Sequence, residues 1–169
     1  MDNATLAHGN DTETAATLER HLKNRKIKYQ LLDEPEDSNW IRYRYASKIV
    51  DTIINHFASI RLGKNEFVYY LVPAVKVDDK YQANVIEFIT RANYGIRIGN
   101  FELDLNDNEI RYKVSFIFGD HLAYPAYIEN HMQAAENALK EYLPGLIKVV
   151  KGENPRDAIK EIEPEQESA

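Results

Sequence analysis

Apolar and charged residues alternate from Phe101 to Phe118, and this pattern predicts a β-hairpin. With a two-residue turn at Asp107-Asn108, Leu105 faces Ile110, Leu103 faces Tyr112 and Phe101 faces Val114. Glu102 then opposes Lys113 and Asp104 opposes Arg111 on the other side. Trp40 to Tyr45 alternates in the same way, with Ile41, Tyr43 and Tyr45 on one face and Arg42 and Arg44 on the other. Glu66 to Val72 is apolar on both faces, which places it near the middle of a covered sheet, and Pro73 ends it. Ile27 to Leu32 reads as a further strand, closed by Glu34-Pro35-Glu36-Asp37.

Helical spacing governs the rest. Ala15, Leu18 and Leu22 predict a helix over Thr14 to Asn24, capped by Asp11 or Thr12. Tyr81, Val85, Ile89 and Ala92 share a face of a second helix, begun at Asp78 or Asp79 and ended by Asn93-Tyr94-Gly95, with Gly95 as the left-handed cap. Pro125 opens a third, carrying Ile128, Met132, Ala135, Leu139 and Tyr142, which Pro144-Gly145 interrupts. Asn154-Pro155 starts a last short helix through Ile159 and Ile162. Residues 46–57 fit two patterns. Ile49, Val50, Ile53, Ile54 and Phe57 keep a helical period, while the β-branched content of Ile53 to Leu62 suits a strand. The favoured reading is a short helix or irregular turn to Asn55, then a strand from Phe57 to Leu62, turned by Gly63-Lys64-Asn65. The expected fold class is α+β: one antiparallel sheet flanked by helices, in a single domain over 13–162. Residues 1–12 and the acidic 163–169 are read as disordered tails.

Composition narrows the function. The 169 residues include no cysteine, which removes disulfides, thiolate metal sites and cysteine nucleophiles. Met1 to Asp11 lacks the basic flank and apolar core of a secretory signal, and no apolar run approaches the ~20 residues of a membrane span, so a cytoplasmic address is expected. A net charge of −6 disfavours general affinity for nucleic acid or anionic lipid.

Candidate chemistry is sparse. Asp104-x-Asn106-x-Asn108 starts like a calcium loop, but Glu109 stands where glycine is needed and Ser115 where the final glutamate is needed. None of the five histidines forms a ligand pair, and Asp120-His121 reads as a surface loop pair. Gly95 and Gly99 have the wrong spacing and context for a dinucleotide loop. Arg42-Tyr43-Arg44-Tyr45 is the best case for single-stranded nucleic acid, but alternation turns its rings and its cations to opposite faces. The eleven tyrosines suit an interface, since each joins apolar area to one polar tip. Trp40, Tyr43, Tyr45 and Tyr69 are therefore the candidate partner surface. No catalytic residue, cofactor site or metal site is assigned.

Three stretches carry a family resemblance. They are Val85-Ile86-Glu87-Phe88-Ile89-Thr90-Arg91-Ala92-Asn93-Tyr94-Gly95, Gly99-Asn100-Phe101-Glu102-Leu103-Asp104, and Glu109-Ile110-Arg111-Tyr112-Lys113. With Tyr142-Leu143-Pro144-Gly145 and Asn154-Pro155, they resemble the core of YbjN-like proteins. Asn108 stands where glycine is usual in that turn, and asparagine tolerates positive φ. The resemblance implies a fold similar to type III secretion chaperones, a homodimer, and a role among bacterial sensory-transduction regulators. It brings no catalytic residues. The expected function is a non-enzymatic, chaperone-like or regulatory protein that binds a protein or peptide partner. The alternatives are a small-ligand or enzymatic domain with an unrecognised site, and a single-stranded nucleic-acid binder.

Overall fold

One antiparallel sheet organises the fold, and its strands are long where β-branched and aromatic residues cluster. The structure, a computed structural model, describes residues 3–35, 38–119 and 123–163, the side chains of 3–11 excepted. In chain order the elements are α1 (Asn3–Asn24), β1 (Gln30–Leu31), β2 (Trp40–Ile49), β3 (Thr52–Arg61), β4 (Glu66–Pro73), a 3-10 turn (Asp79–Tyr81), α2 (Gln82–Gly95), β5 (Asn100–Leu103), β6 (Ile110–Ile117), α3 (Pro125–Val149) and α4 (Pro155–Ile162). The strands lie in the order β1-β2-β3-β4-β6-β5, all neighbours antiparallel. The chain is α+β, as expected, and β4 is interior, as its two apolar faces require.

The helices gather on one side of this sheet. Leu18 and Leu22 of α1, Phe88 of α2, Ile128, Met132 and Leu139 of α3 and Ala158 of α4 share one core. Tyr43, Tyr45, Ile54, Ile60, Phe67, Tyr69, Leu71, Tyr112 and Val114 of the strands complete it. Val68 is also buried but lies outside that core, on the opposite face. Among the described residues, no helix is long and apolar enough to cross a membrane.

Several local expectations change. The ambiguous stretch is strand, since β2 runs to Ile49 and turns at Val50-Asp51, both at positive φ (46° and 61°), into β3 at Thr52. Pairing on both sides of β3 outweighs a helical period that its apolar positions also happen to satisfy. The strand expected over Ile27 to Leu32 shrinks to two residues. Helix α1 begins at Asn3, inside the tail read as disordered, and Ala4, Leu6 and Ala7 are strong helix formers. Pro144 does not break α3, and Gly145 is needed there for contact: a Cβ would lie 2.6 Å from Ile162 and 3.0 Å from Phe88. Gly95 ends α2 without a left-handed φ; Gly99, at 82°, takes that conformation. Asp120-His121 and residues 164–169 of the acidic tail lie outside the described residues.

The β5–β6 hairpin keeps its faces but shifts its register by two. Leu103 pairs with Ile110, Glu102 with Arg111 and Phe101 with Tyr112. The turn is longer than two residues. Asp104 donates its N–H to the Glu109 carbonyl, Asn108 bonds back to Asp104, and Asn108 takes φ 62°. A shift of two leaves the strand side chains on their original faces, but Leu105, expected opposite Ile110 on the core side, falls in the turn and is 62% exposed. Glu102 therefore meets both Arg111 (2.7 Å) and Lys113 (2.9 Å), while the Asp104 carboxylate accepts from the Asn106 N–H instead.

Candidate functional site

The helix-free face of the sheet is built by the alternate residues of five strands. Arg44, Phe57, Tyr70, Lys113 and Asn100 form one row across it, and Arg42, Ser59, Val68 and Ser115 the next. Trp40 and Arg61 are paired at one corner. Guanidinium groups lie over the rings of this face. Arg42 and Arg61 approach Trp40 (5.6 and 5.4 Å), Arg44 approaches Phe57 (5.8 Å) and Arg111 approaches Tyr70 (4.5 Å). Each such contact is worth about 0.5–1 kcal/mol when exposed, enough to hold a side chain in place. A shallow depression of 330 Å³ opens between Arg42, Phe57, Tyr70, Val72, Glu109 and Arg111.

Carboxylates ring the face without matching every cation. Arg42 pairs with Glu34 (3.1 Å), Arg61 with Glu66 (3.7 Å), and Arg111 and Lys113 share Glu102. Arg44 hydrogen-bonds the Asn55 side-chain oxygen at 3.3 Å. Burial pushes the Glu102 carboxyl up, but the bonds from Lys113 and Arg111 outweigh it and hold the group below its usual range. Two buried donors on this face, Ser59 Oγ and Arg61 Nε, have no hydrogen-bond partner.

Of the candidate partner surface, only Trp40 sits on this face. Tyr43, Tyr45 and Tyr69 point into the helix-covered core, with 5%, 6% and 0% of their surface exposed. This corrects the sequence reading of those three, because strand parity sends them inward with Ile41. Tyrosine content did not separate core from surface. Phe57 and Tyr70 were missed. They fall on the parity of Arg42 and Arg44 once 46–57 is read as strand, and that signal was available.

Two of the inward tyrosines, Tyr45 and Tyr69, belong to a polar chain that runs from exposed Ser47 into the core, while the Tyr43 hydroxyl donates to the Ala15 carbonyl. Ser47 Oγ lies 2.7 Å from His56 Nε2, and His56 Nδ1 lies 2.6 Å from the Tyr69 hydroxyl. The Tyr69 hydroxyl also meets that of Tyr45 (2.8 Å) and donates to Glu136 (3.1 Å), whose other oxygen faces Arg25 at 3.4 Å. The ring of Tyr45 stacks on His56 at 4.3 Å. Burial, aided by the positive charge of Arg25, pushes His56 down to about 4, so the ring is neutral at pH 7. One proton arrangement then satisfies every link: Ser47 and His56 each donate along the chain, and Tyr69 donates to Glu136. Ser47 beside His56 has the outline of a nucleophile and base, but a ring that resists protonation makes a weak base. The chain works as a brace between sheet and α3.

The sheet thus carries its helices on one face and leaves arginine side chains over the rings of the other. The YbjN family, described as "Putative bacterial sensory transduction regulator", matches residues 14–148, and the chain belongs to it. Among solved structures, an uncharacterized protein from Methanothermobacter thermautotrophicus is similar at 15% identity and a TM-score of 0.47, covering 82% of this chain and 96% of that one. No curated protein matches.

Proposed function

We propose that this protein is a non-enzymatic, cytoplasmic regulator that acts by binding a protein partner. The observation that carries the reading is the bare sheet face, whose aromatic and arginine side chains are already ordered against one another. Rigid aromatic and arginine anchors are what binding surfaces enrich. The family's description as a regulator agrees with it. A homodimer, implied by the family resemblance, is part of the proposal.

The protein has one tryptophan, Trp40, on this face, so its emission reports occupancy directly. The test is affinity capture of the tagged chain in its source cells after cross-linking, followed by reconstitution with the captured protein. A defined partner that shifts Trp40 emission supports the reading. Capture of no protein, together with a specific small-molecule substrate found by thermal-shift screening, would replace it with the enzymatic alternative. Light scattering against the 19.6 kDa chain mass tests the dimer.

A further inference from the structure

We infer that the β2–β3 half of the bare face receives an acidic, extended segment of the partner protein; this rests on the reading above and names the chemistry of what is bound. Three guanidiniums, from Arg42, Arg44 and Arg61, lie on two adjacent strands beside Trp40 and Phe57. Glu34 and Glu66 pair with Arg42 and Arg61, so this corner keeps a small positive excess, carried by Arg44, on a chain of net charge −6. A guanidinium lying over a ring still presents its planar edge, which carries the N–H fork that grips a carboxylate; Arg42 and Arg61 share theirs with Glu34 and Glu66, and Arg44 bonds the neutral Asn55 amide. The rings thus fix the forks before a ligand arrives, which lowers the ordering cost of binding.

Two further observations point to acceptors in the ligand. Ser59 Oγ is buried and unpartnered in the row between Arg42 and Val68, and the Nε of Arg61, whose guanidinium lies over the Trp40 ring and reaches Glu66 through Nη1, has no partner. Buried polar groups almost always find partners, and these two can both donate. A segment rich in carboxylate and carbonyl oxygens supplies what they lack. Arg44, bonded to the amide of Asn55, can turn its fork to a ligand without breaking an ion pair with its own chain.

The same geometry argues against single-stranded nucleic acid. Base stacking needs free ring faces, whereas guanidiniums lie over Trp40, Phe57 and Tyr70. Glu66 and Glu102 interrupt the face, which penalises a continuous phosphate backbone but leaves room for spaced carboxylates. Arg42 and Arg44 stand two residues apart on β2, a separation of about 7 Å, so alternate acidic residues of an extended segment laid along that strand reach both.

The experiment uses the full chain with three fluorescein-labelled probes of about eight units, a span matched to the face. They are a peptide alternating glutamate and threonine, its lysine counterpart, and an oligothymidylate. Fluorescence anisotropy and Trp40 emission are read together. The glutamate peptide is expected to bind and shift Trp40, to weaken with salt, and to lose about tenfold or more in affinity in Arg42→Ala plus Arg44→Ala. Arg44→Glu, a single exposed change, should give the same loss, with circular dichroism confirming the fold of both variants. Absent binding, or binding indifferent to these variants, overturns the inference. Tighter binding of oligothymidylate, lost in the same variants, assigns the face to nucleic acid and also overturns it. Should the Arg42/Arg44 variant still hold the natural partner, the regulator reading survives and only the acidic-segment inference falls.

Discussion

The two faces of the sheet use tyrosine and arginine in opposite ways. On the inner face, Tyr45 and Tyr69 are buried and their hydroxyls are consumed by His56 and Glu136. On the outer face, Tyr70 is half-buried under the Arg111 guanidinium and Phe57 under that of Arg44. Inner contacts are made once, at folding, and any loss leaves a cavity or an orphaned polar group. Outer contacts are partly solvated and can be exchanged for those of a ligand at small cost to stability. The inner face holds the fold together, and the outer face carries contacts that can be exchanged.

Four substitutions test that division, in descending order of expected effect. Phe67→Ala on the inner face should cost about 3–5 kcal/mol, read as a lower urea midpoint. A cost under about 1 kcal/mol would show that the inner face is not a close-packed core. The second is acid sensitivity. The unfolded chain binds a proton at His56 near 6.5, the folded chain only near 4. Stability should therefore hold above pH 6.5 and fall by at most about 3 kcal/mol as pH drops toward 4. His21, also held low by burial, acts in the same direction, so His56→Gln should shrink the slope without abolishing it. An unchanged slope would remove His56 from the account.

Third, Tyr69→Phe keeps the ring but strips the hydroxyl from three neighbours, and should cost about 1–3 kcal/mol. Fourth, Arg44→Ala on the outer face should move stability by no more than about 0.5 kcal/mol in the same urea titration. A larger loss there would mean that the outer face also holds the fold together, and the comparison would fail.

Much of the fold was legible because side-chain parity is robust to register error. The hairpin was offset by two residues, yet Phe101, Tyr112 and Val114 still faced inward and Glu102 and Lys113 still met. What could not be read was the loop length, set by an Asx turn at Asp104 and by positive φ at Asn108. The third helix was read as broken because Pro144 forbids a helix locally. Tight packing of Gly145 against Phe88 and Ile162 accompanies the unbroken helix there. The candidate surface was the poorest reading. Trp40 lies on the bare face, whereas residue type alone does not separate Tyr43, Tyr45 and Tyr69 from it, and only the sheet's polarity reveals which parity faces the helices. The orphaned Ser59 hydroxyl left no trace in the sequence.

The hydrogen bonds of Asn93 bear on how the molecule can assemble. Its side-chain amide donates to the Phe101 carbonyl (3.0 Å) and accepts the Phe101 N–H (2.7 Å), so the β5 edge is blunted by the chain itself. At the other side, β1 pairs with β2 only near Tyr43 and Arg44, and the exposed run Ala46-Ser47-Lys48 continues beyond it. A sheet with two equivalent open edges can add neighbours without limit, which is the route to fibres. Here one end is stoppered and the other is short and carries Lys48. Growth by edge pairing is therefore self-limiting: a second copy joined through the β2 edge would present the Asn93-blunted end outward on each side.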